Sequence, residues 1–208
     1  MLKIQADFID GLCAKGQQPI RLGGSSPYQV NCAPLETGRQ TFLEAKYGGK
    51  PDAQASGKKK LADGLCQFGG SFALIPGSEE DLEKILVRGQ LWGPTGKMLK
   101  GETSQCHSNS VKAWEANQDK LYVATGYAMS ADGLWRQHTW CINPKPRSIQ
   151  VVETTEKRSL YFGFVMTLEE TIEFGYNNTF SGVEVHPDTY ARYGLEAPSE
   201  RENERQKG

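Results

Sequence analysis

The second half of the chain carries four short runs of β-branched, aromatic and other apolar residues, each bounded by residues that favour turns. The runs cover residues 121–127, 135–142, 149–154 and 160–166. Ala-Asp-Gly, Asn-Pro-Lys-Pro and Glu-Lys-Arg sequences connect them, and such segments favour hairpins or short loops. The pattern therefore predicts four strands that form an antiparallel meander.

Helical patterns lie on both sides of these strands. Ser78 can cap a helix that has three acids in its first turn, an apolar stripe at residues 82, 85 and 86, and Gly89 at its end. The apolar run at residues 71–75 predicts a buried strand before that helix. Further helices are predicted at residues 41–47, from Thr103 or Ser104 to about residue 117, from residue 167, and at residues 186–190. Helices followed by a meander indicate an α+β fold.

Composition divides the chain into three parts. Residues 1–70 are rich in Gly, Pro, Gln and Lys, which predicts a loop-rich N-terminal segment of the same domain. Within this segment, residues 54–60 are expected to be mobile. Residues 71–198 are expected to form the core, and the charged residues 199–208, which lack apolar anchors, are expected to form a flexible tail.

Charge and cysteine content narrow the classes of partner and compartment. The formal net charge is −1 and the mean hydropathy is −0.56, which favour neither nucleic-acid nor membrane binding. Basic residues cluster only at residues 58–60, which are expected to be a solvated loop. Five irregularly spaced cysteines and a start without a signal-peptide core favour the cytoplasm and reduced thiols, although export without a cleaved signal stays open.

Cys106 stands at the predicted start of a helix, where unpaired N–H groups and a partial positive charge favour the thiolate over the thiol. His138 lies in the second predicted strand and Glu153 in the third. An imidazolium beside the helix end would stabilise the thiolate further, and a carboxylate one strand away could hold its other nitrogen. We therefore predict Cys106 as nucleophile, His138 as base and Glu153 as orienting group, with Asn143 as a rival for the third role.

The order and spacing of these three residues resemble the papain-like cysteine hydrolase superfamily in its wide sense. The likeness is greatest to the branch with transglutaminase-like and arylamine N-acetyltransferase-like enzymes, where a cysteine at a helix start precedes a histidine and an acid on successive antiparallel strands. Here 32 residues separate Cys106 from His138, and 15 separate His138 from Glu153. The resemblance covers about residues 100–165 and implies an α+β, papain-like core, in which the nucleophile-bearing helix packs on an antiparallel sheet.

Two positions depart from papain itself. Papain has a Gln six residues before the nucleophile and a Trp directly after it, whereas this chain has Lys100 and His107. The oxyanion hole implied by the resemblance therefore carries over only as the backbone N–H of Cys106. Its second donor stays open among the side chains of Gln105, Gln90 and Trp92.

Two more polar residues are candidates for substrate binding. His107 is expected to line the cleft rather than act as the base, because adjacent side chains on a helix diverge. Arg136 shares a strand face with His138, since side chains at i and i+2 align. Arg136 could bind a carboxylate or amide of the substrate, or it could pair with an acid on the next strand.

A zinc site is the rival chemistry. Thiol and imidazole groups are ligand types that zinc prefers, and four such residues are available: Cys106, His107, His138 and Cys141. Their spacing is poor, because the sequence has no CxxC pair, neighbouring ligands on a helix diverge, and residues 138 and 141 would face opposite sides of a strand. We therefore expect no metal ion and no cofactor.

The predicted function is that of a cysteine hydrolase, a thiol protease or amidase that cleaves a peptide, isopeptide or side-chain amide bond through a thioester on Cys106. The expected partner is a peptide or protein substrate. Two other functions stay open. One is acyl transfer to an amine by the same three residues, as in transglutaminases, and the other is non-catalytic binding, in which Cys106 and His138 are structural.

Overall fold

The structure of the protein is a computed structural model that describes residues 18–30, 34–48, 52–145, 148–179 and 183–197. Within these ranges the chain forms six helices and seven strands. The helices are α1 (Thr37–Tyr47), α2 (Ala55–Phe68), α3 (Leu82–Arg88), α4 (Cys106–Glu115), α5 (Leu168–Asn178) and α6 (Pro187–Arg192). The strands are β1 (Phe72–Leu74), β2 (Gln90–Trp92), β3 (Lys97–Met98), β4 (Tyr122–Met129), β5 (Leu134–Lys145), β6 (Ser148–Glu153) and β7 (Leu160–Val165). No helix within the described ranges is both long and apolar enough to cross a membrane.

The strands form one mixed sheet in the order β2-β7-β4-β5-β6-β3, with β1 beside β5. The pairs at its centre are antiparallel, whereas β1 pairs with β5 and β3 pairs with β6 in parallel. The helices and this mixed sheet confirm the α+β class. The prediction of a purely antiparallel sheet is wrong, because β1 and the two-residue strand β3 join it in parallel.

The four strands predicted in the second half form as β4 to β7, but they are not a simple meander. Strands β4, β5 and β6 pair in sequence, whereas β7 returns to pair with β4. The outer edge of β6 is occupied by β3, and β7 fits against β4 where Gly126 faces Gly163. A Cβ atom on Gly126 would lie 2.4 Å from the carbonyl oxygen of Phe162, so this close approach requires glycine. The return of β7 places Tyr161 beside Ala128 of β4.

Residues 55–68 form helix α2, so the expectation of a mobile block at residues 54–60 is wrong. Three apolar side chains of α2 are buried in the core: Leu61, Leu65 and Phe68. Lys58 was expected in a solvated loop but is only 8% exposed, because its ammonium group binds Asp52 and the carbonyl oxygen of Gly77. The run of three lysines masks the i, i+4 apolar pattern that follows it.

Helix α3 begins four residues after Ser78, which does not cap it. The N-cap residue is Asp81, and Gly89 ends the helix as predicted. Glu79 turns into the protein instead, where its carboxyl group accepts a hydrogen bond from the hydroxyl of Tyr127. The segment before α3 therefore serves to bury an acid rather than to start the helix.

The other helices confirm the predicted pattern. Helices α1, α5 and α6 form at the positions predicted for residues 41–47, from residue 167, and for residues 186–190. Thr167 caps α5 in a reciprocal capping box with Glu170. The predicted tail at residues 199–208 lies outside the described residues, as do the first 17 residues of the N-terminal segment.

Candidate active site

The candidate site lies at an interruption in the strand pairing of β5. One edge of β5 pairs with β4 from Trp135 to Ile142. Along the other edge, β1 pairs as far as Arg136, and pairing with β6 begins at Cys141. Among the described residues no strand occupies that edge between these two points, and His138 lies within the gap. A neighbouring helix can therefore reach the backbone and side chains of β5 there.

Helix α4 packs on β5 and presents Cys106 at its N-terminus. The Ser110 hydroxyl donates to the carbonyl oxygen of Thr139 at 3.1 Å, and the Cys141 thiol donates to the carbonyl oxygen of Ser110 at 3.3 Å. The predicted inward face of the helix, Val111 and Trp114, is fully buried. These contacts fix the position of the cysteine against the gap in β5.

The predicted caps of this helix, Thr103 and Ser104, do not cap it. The N-cap residue is Gln105, whose side chain makes no capping hydrogen bond within the described structure. Ser104 has a φ of 60°, in the left-handed region that residues other than glycine seldom adopt. The N–H groups of the first turn therefore have no side-chain cap among the described residues, and they lie with the partial positive charge of the helix end beside Cys106.

The loop before Cys106 is tied to the end of β6. The backbone N–H of Gly101 donates to the carbonyl oxygen of Thr154 at 2.8 Å. Asn109 clamps the same loop, because its amide donates to the carbonyl oxygen of Glu102 at 2.7 Å and accepts from the backbone N–H of Glu102 at 3.1 Å. A Cβ atom on Gly101 would lie 2.6 Å from Oδ1 of Asn109, so a larger residue would push the Asn109 side chain out of this contact.

His138 and Glu153 form a buried hydrogen-bonded pair. Nε2 of His138 lies 2.8 Å from Oε2 of Glu153, and both side chains are almost fully buried. The other oxygen of Glu153, Oε1, accepts bonds from the backbone N–H groups of Thr154 and Thr155 at 2.7 and 2.8 Å and from the Thr155 hydroxyl at 3.0 Å. Burial alone would raise the pKa of Glu153, but His138 and these donors hold it well below its usual range.

The second nitrogen of His138 is left for Cys106. The imidazole of His138 and the backbone of Thr139 both interact with the Cys106 thiol. Burial opposes ionisation of the thiol, but His138 and Thr139 lower the pKa of Cys106 overall. Burial also opposes a charge on the imidazole, but the interactions with Cys106 and Glu153 raise the pKa of His138 above its usual value. Together the two shifts favour a thiolate–imidazolium pair.

His107 has a different set of partners. Its Nδ1 lies 2.6 Å from the hydroxyl of Thr139, and its ring packs edge-on against Phe174. Burial and then the charge of His138 lower the pKa of His107, which favours a neutral imidazole. His138, rather than the histidine beside Cys106 in sequence, is thus the imidazole that lowers the pKa of the thiol.

The candidate oxyanion donors lie on two elements. Gln105 is exposed, and its Oε1 accepts a bond from the Ser108 hydroxyl at 3.3 Å. Trp92 and Gln90 are buried in β2, where Trp92 packs edge-on against Trp140. These contacts do not select one of the three as the second donor, so that assignment stays a prediction.

Arg136 binds an acid outside the site, and Asn143 lies on the face of β5 opposite to His138. The two terminal nitrogens of Arg136 bind the Asp132 carboxylate at 2.8 and 2.7 Å. This acid belongs to the β4–β5 turn rather than to the next strand. Asn143 is an odd number of residues from His138 on β5 and so lies on the opposite face of the strand.

Two residues that the sequence does not single out complete the site. Thr139 contacts the sulfur of Cys106 through its backbone and His107 through its hydroxyl. Tyr161 on β7 donates its hydroxyl to Oε2 of Glu153 at 2.8 Å. A buried tyrosine needs a hydrogen-bond partner, which is the one local signal for this role. The partner itself depends on the return of β7 to β4, which no local pattern reveals.

The three central side chains form a row, in which the imidazole of His138 is hydrogen-bonded to the carboxylate of Glu153 and interacts with the thiol of Cys106. Such a row is suited to nucleophilic catalysis. No family model, curated protein or solved structure matches this chain. The contacts of Cys106, His138 and Glu153 therefore carry the functional interpretation. Within the described part of the chain, no cluster of three or more His, Cys, Asp or Glu side chains could hold a metal ion.

Proposed function

We propose that this protein is a cysteine hydrolase that cleaves a peptide, isopeptide or side-chain amide bond of a peptide or protein through a thioester on Cys106. The observation that carries the proposal is the row from Cys106 through His138 to Glu153, with 2.8 Å between the imidazole and the carboxylate. The pKa of the thiol is lowered, that of the imidazole is raised and that of the carboxyl group is lowered, as the three roles require. On the same basis, and on the resemblance in order and spacing, we propose a papain-like core.

In the first half of the reaction, the Cys106 thiolate attacks the carbonyl carbon of the scissile amide. Negative charge develops on the carbonyl oxygen at the N-terminus of α4, where the backbone N–H of Cys106 can donate to it. The His138 imidazolium then transfers its proton to the amide nitrogen. The C–N bond breaks, the amine leaves, and the acyl group remains on Cys106 as a thioester.

In the second half, the neutral imidazole of His138 takes a proton from water as the water oxygen attacks the thioester carbon. The C–S bond breaks and the carboxylic acid leaves, so Cys106 and His138 return to the thiolate–imidazolium pair. Glu153 keeps its charge throughout and holds the imidazole in the tautomer with hydrogen on Nε2. The sum of both halves is an amide plus water giving a carboxylic acid plus an amine.

The first test measures the reactivity of the thiol. We expect iodoacetamide to alkylate Cys106 rapidly at pH 6, because its thiolate persists below the usual pKa of about 8.5. Burial raises the pKa of Cys66 and Cys141, so mass spectrometry should locate the fast label on Cys106 and not on those two. His138→Ala should slow the labelling at pH 6 about tenfold or more. Equal rates in the wild type and in His138→Ala would overturn the proposal.

The second test measures turnover with a library of internally quenched peptides. Cys106→Ala should abolish any cleavage and keep the circular dichroism spectrum of the wild type, whereas Cys66→Ala should keep both. Addition of a fluorescent amine separates hydrolysis from acyl transfer. Release without amine incorporation supports the hydrolase, and incorporation that exceeds release would replace hydrolysis by acyl transfer. Full activity in Cys106→Ala would exclude both reactions.

A further inference from the structure

Tyr161 on β7 shares one carboxylate oxygen with the proposed base. Its hydroxyl lies 2.8 Å from Oε2 of Glu153, and the same oxygen lies 2.8 Å from Nε2 of His138. The Tyr161 side chain is fully buried, so the contact is shielded from water. We infer that Tyr161 is a positioning residue of the site, which fixes Oε2 of Glu153 on the imidazole and limits its attraction for the imidazole proton. The inference deepens the proposed function and rests on it.

The neighbours of Tyr161 determine the direction of each hydrogen bond. Glu153 is ionised and can only accept, so the Tyr161 hydroxyl donates to it. The hydroxyl of Thr95 lies 2.6 Å from the Tyr161 oxygen and accepts a bond from the backbone N–H of Arg158 at 2.9 Å. The Thr95 hydroxyl also lies 3.3 Å from the carbonyl oxygen of Arg158. Because Tyr161 gives its single hydroxyl hydrogen to Glu153, the shorter 2.6 Å contact requires Thr95 to be the donor to Tyr161. One directed chain of hydrogen bonds thus runs from Arg158 through Thr95 and Tyr161 to the carboxylate.

Different elements hold the two oxygens of Glu153. Oε1 is bound by residues 154–155, which directly follow it in the chain. Oε2 lies between His138 on β5 and Tyr161 on β7. Tyr161 thus connects Oε2 to β7, whereas the base lies on β5. Without Tyr161, the hydrogen bond to His138 alone would determine the angle between the carboxylate and the imidazole.

The Tyr161 hydroxyl also affects the charge that His138 experiences. A donor bonded to a carboxylate stabilises its negative charge and lowers its pKa, and Tyr161 acts on Glu153 in this direction. Without the hydroxyl, the negative charge on Oε2 is balanced by the imidazolium alone. The protonated form of His138 should then be more stable, so the pKa of its imidazole should rise.

The test is Tyr161→Phe, which removes the hydroxyl and keeps the ring. The chain has three histidines, so an NMR titration can follow the His138 imidazole separately from His107 and His186. We expect the His138 midpoint to move up by about half to one pH unit. The lower limit of the pH range for fast Cys106 alkylation should move down, because a more stable imidazolium supports the thiolate to lower pH.

Tyr127→Phe is the matched control. Tyr127 is also fully buried and also donates to a buried glutamate, Glu79, so the variant loses the same type of bond away from Glu153. Both variants should lose similar stability in urea unfolding, but only Tyr161→Phe should move the His138 midpoint. An unmoved midpoint in Tyr161→Phe, or an equal shift in both variants, would overturn the inference.

Thr95→Val provides a second variant if Tyr161→Phe does not fold. It removes the donor to Tyr161 and so weakens the Tyr161 hydroxyl as a donor. The His138 midpoint should then move in the same direction by a smaller amount. No shift would contradict the inference.

Failure of the proposed function can be distinguished from failure of this inference. An ordinary thiol pH profile for Cys106 in the wild type would overturn that function, whereas a low wild-type profile with an unmoved midpoint in Tyr161→Phe would overturn only the role of Tyr161.

Discussion

Glu153 and Glu79 are two buried acids in one fold, and each accepts a hydrogen bond from a buried tyrosine. Their pKa values nevertheless shift in opposite directions. Burial raises the pKa of Glu79, and its bonds to Tyr127 and Gln137 do not offset that effect. Burial acts in the same direction on Glu153, but His138 and the backbone donors hold its pKa well below the usual range. The neighbouring cation and N–H groups, rather than burial, therefore decide the direction in which the pKa of each acid shifts.

This difference separates an acid with a structural role from an acid suited to catalysis. Glu79 connects the segment before α3 to Tyr127 on β4 and Gln137 on β5, which a protonated carboxyl group can do. Glu153 is held as a buried carboxylate, an arrangement that needs a partner charge because an isolated buried ion is costly. That partner is His138, which also contacts a thiol. A core built only for stability has no need of this charged row.

The largest expected effect is that of Glu153→Gln, for which Glu79→Gln is the comparison. Each variant replaces a carboxyl group by an amide of the same shape. Glu153→Gln should destabilise the fold by about 3 kcal/mol, because it leaves a buried imidazolium without its counter-charge. It should also slow alkylation of Cys106 at pH 6 about tenfold or more, since an imidazolium without that counter-charge gives up its proton more easily and supports the thiolate less. Glu79→Gln should change stability at acidic pH by less than about 1 kcal/mol, because the amide resembles the protonated acid. Urea unfolding and alkylation rates measure both effects.

The two amide variants also show how the comparison could fail. Cys106 alkylation that slows equally in Glu79→Gln and Glu153→Gln would mean that general loosening of the fold, and not the row of three side chains, controls the thiol. Destabilisation of Glu153→Gln without any change in alkylation would make Glu153 a structural acid like Glu79.

Local patterns predict the elements that carry Cys106, His138 and Glu153, because a helix start and two apolar runs are strong short-range signals. They do not predict which strands pair, since pairing depends on contacts distant in sequence. The role of Tyr161 follows from the return of β7 to β4 and so lies outside any local pattern. The same limit applies to Glu79, whose position in an acidic run indicates a helix start, although its partner Tyr127 lies 48 residues away.

A second comparison tests whether the loop before the cysteine is held as tightly as its contacts indicate. A Cβ atom on Gly101 would lie 2.5 Å from Cγ of Asn109, whereas one on Gly77, close to Glu79 in sequence, would have nothing within 4 Å. We expect Gly101→Ala to cost about 1–3 kcal/mol by overpacking and to slow Cys106 alkylation. Gly77→Ala should stay within about 0.5 kcal/mol of the wild type. If Gly101→Ala alkylates at the wild-type rate, the clamp of Asn109 does not position the nucleophile.

The smallest expected effect is a difference in the pH dependence of stability, for which the two acids have opposite signs. A group whose pKa is raised on folding stabilises fully below its unfolded pKa, about 4.3 for Glu, and loses that contribution as the pH rises through its folded pKa. Glu79 is of this kind, so Glu79→Gln should become more stable relative to the wild type as the pH rises above about 4.3. The lowered pKa of Glu153 gives a contribution that is present above about pH 4.3 and is lost as the pH falls towards its folded pKa of about 2, so Glu153→Gln should become less stable relative to the wild type as the pH rises from about 2 to 4.3. Urea unfolding at these pH values measures both slopes, and slopes of the same sign would mean that one of the two acids is held in the opposite charge state.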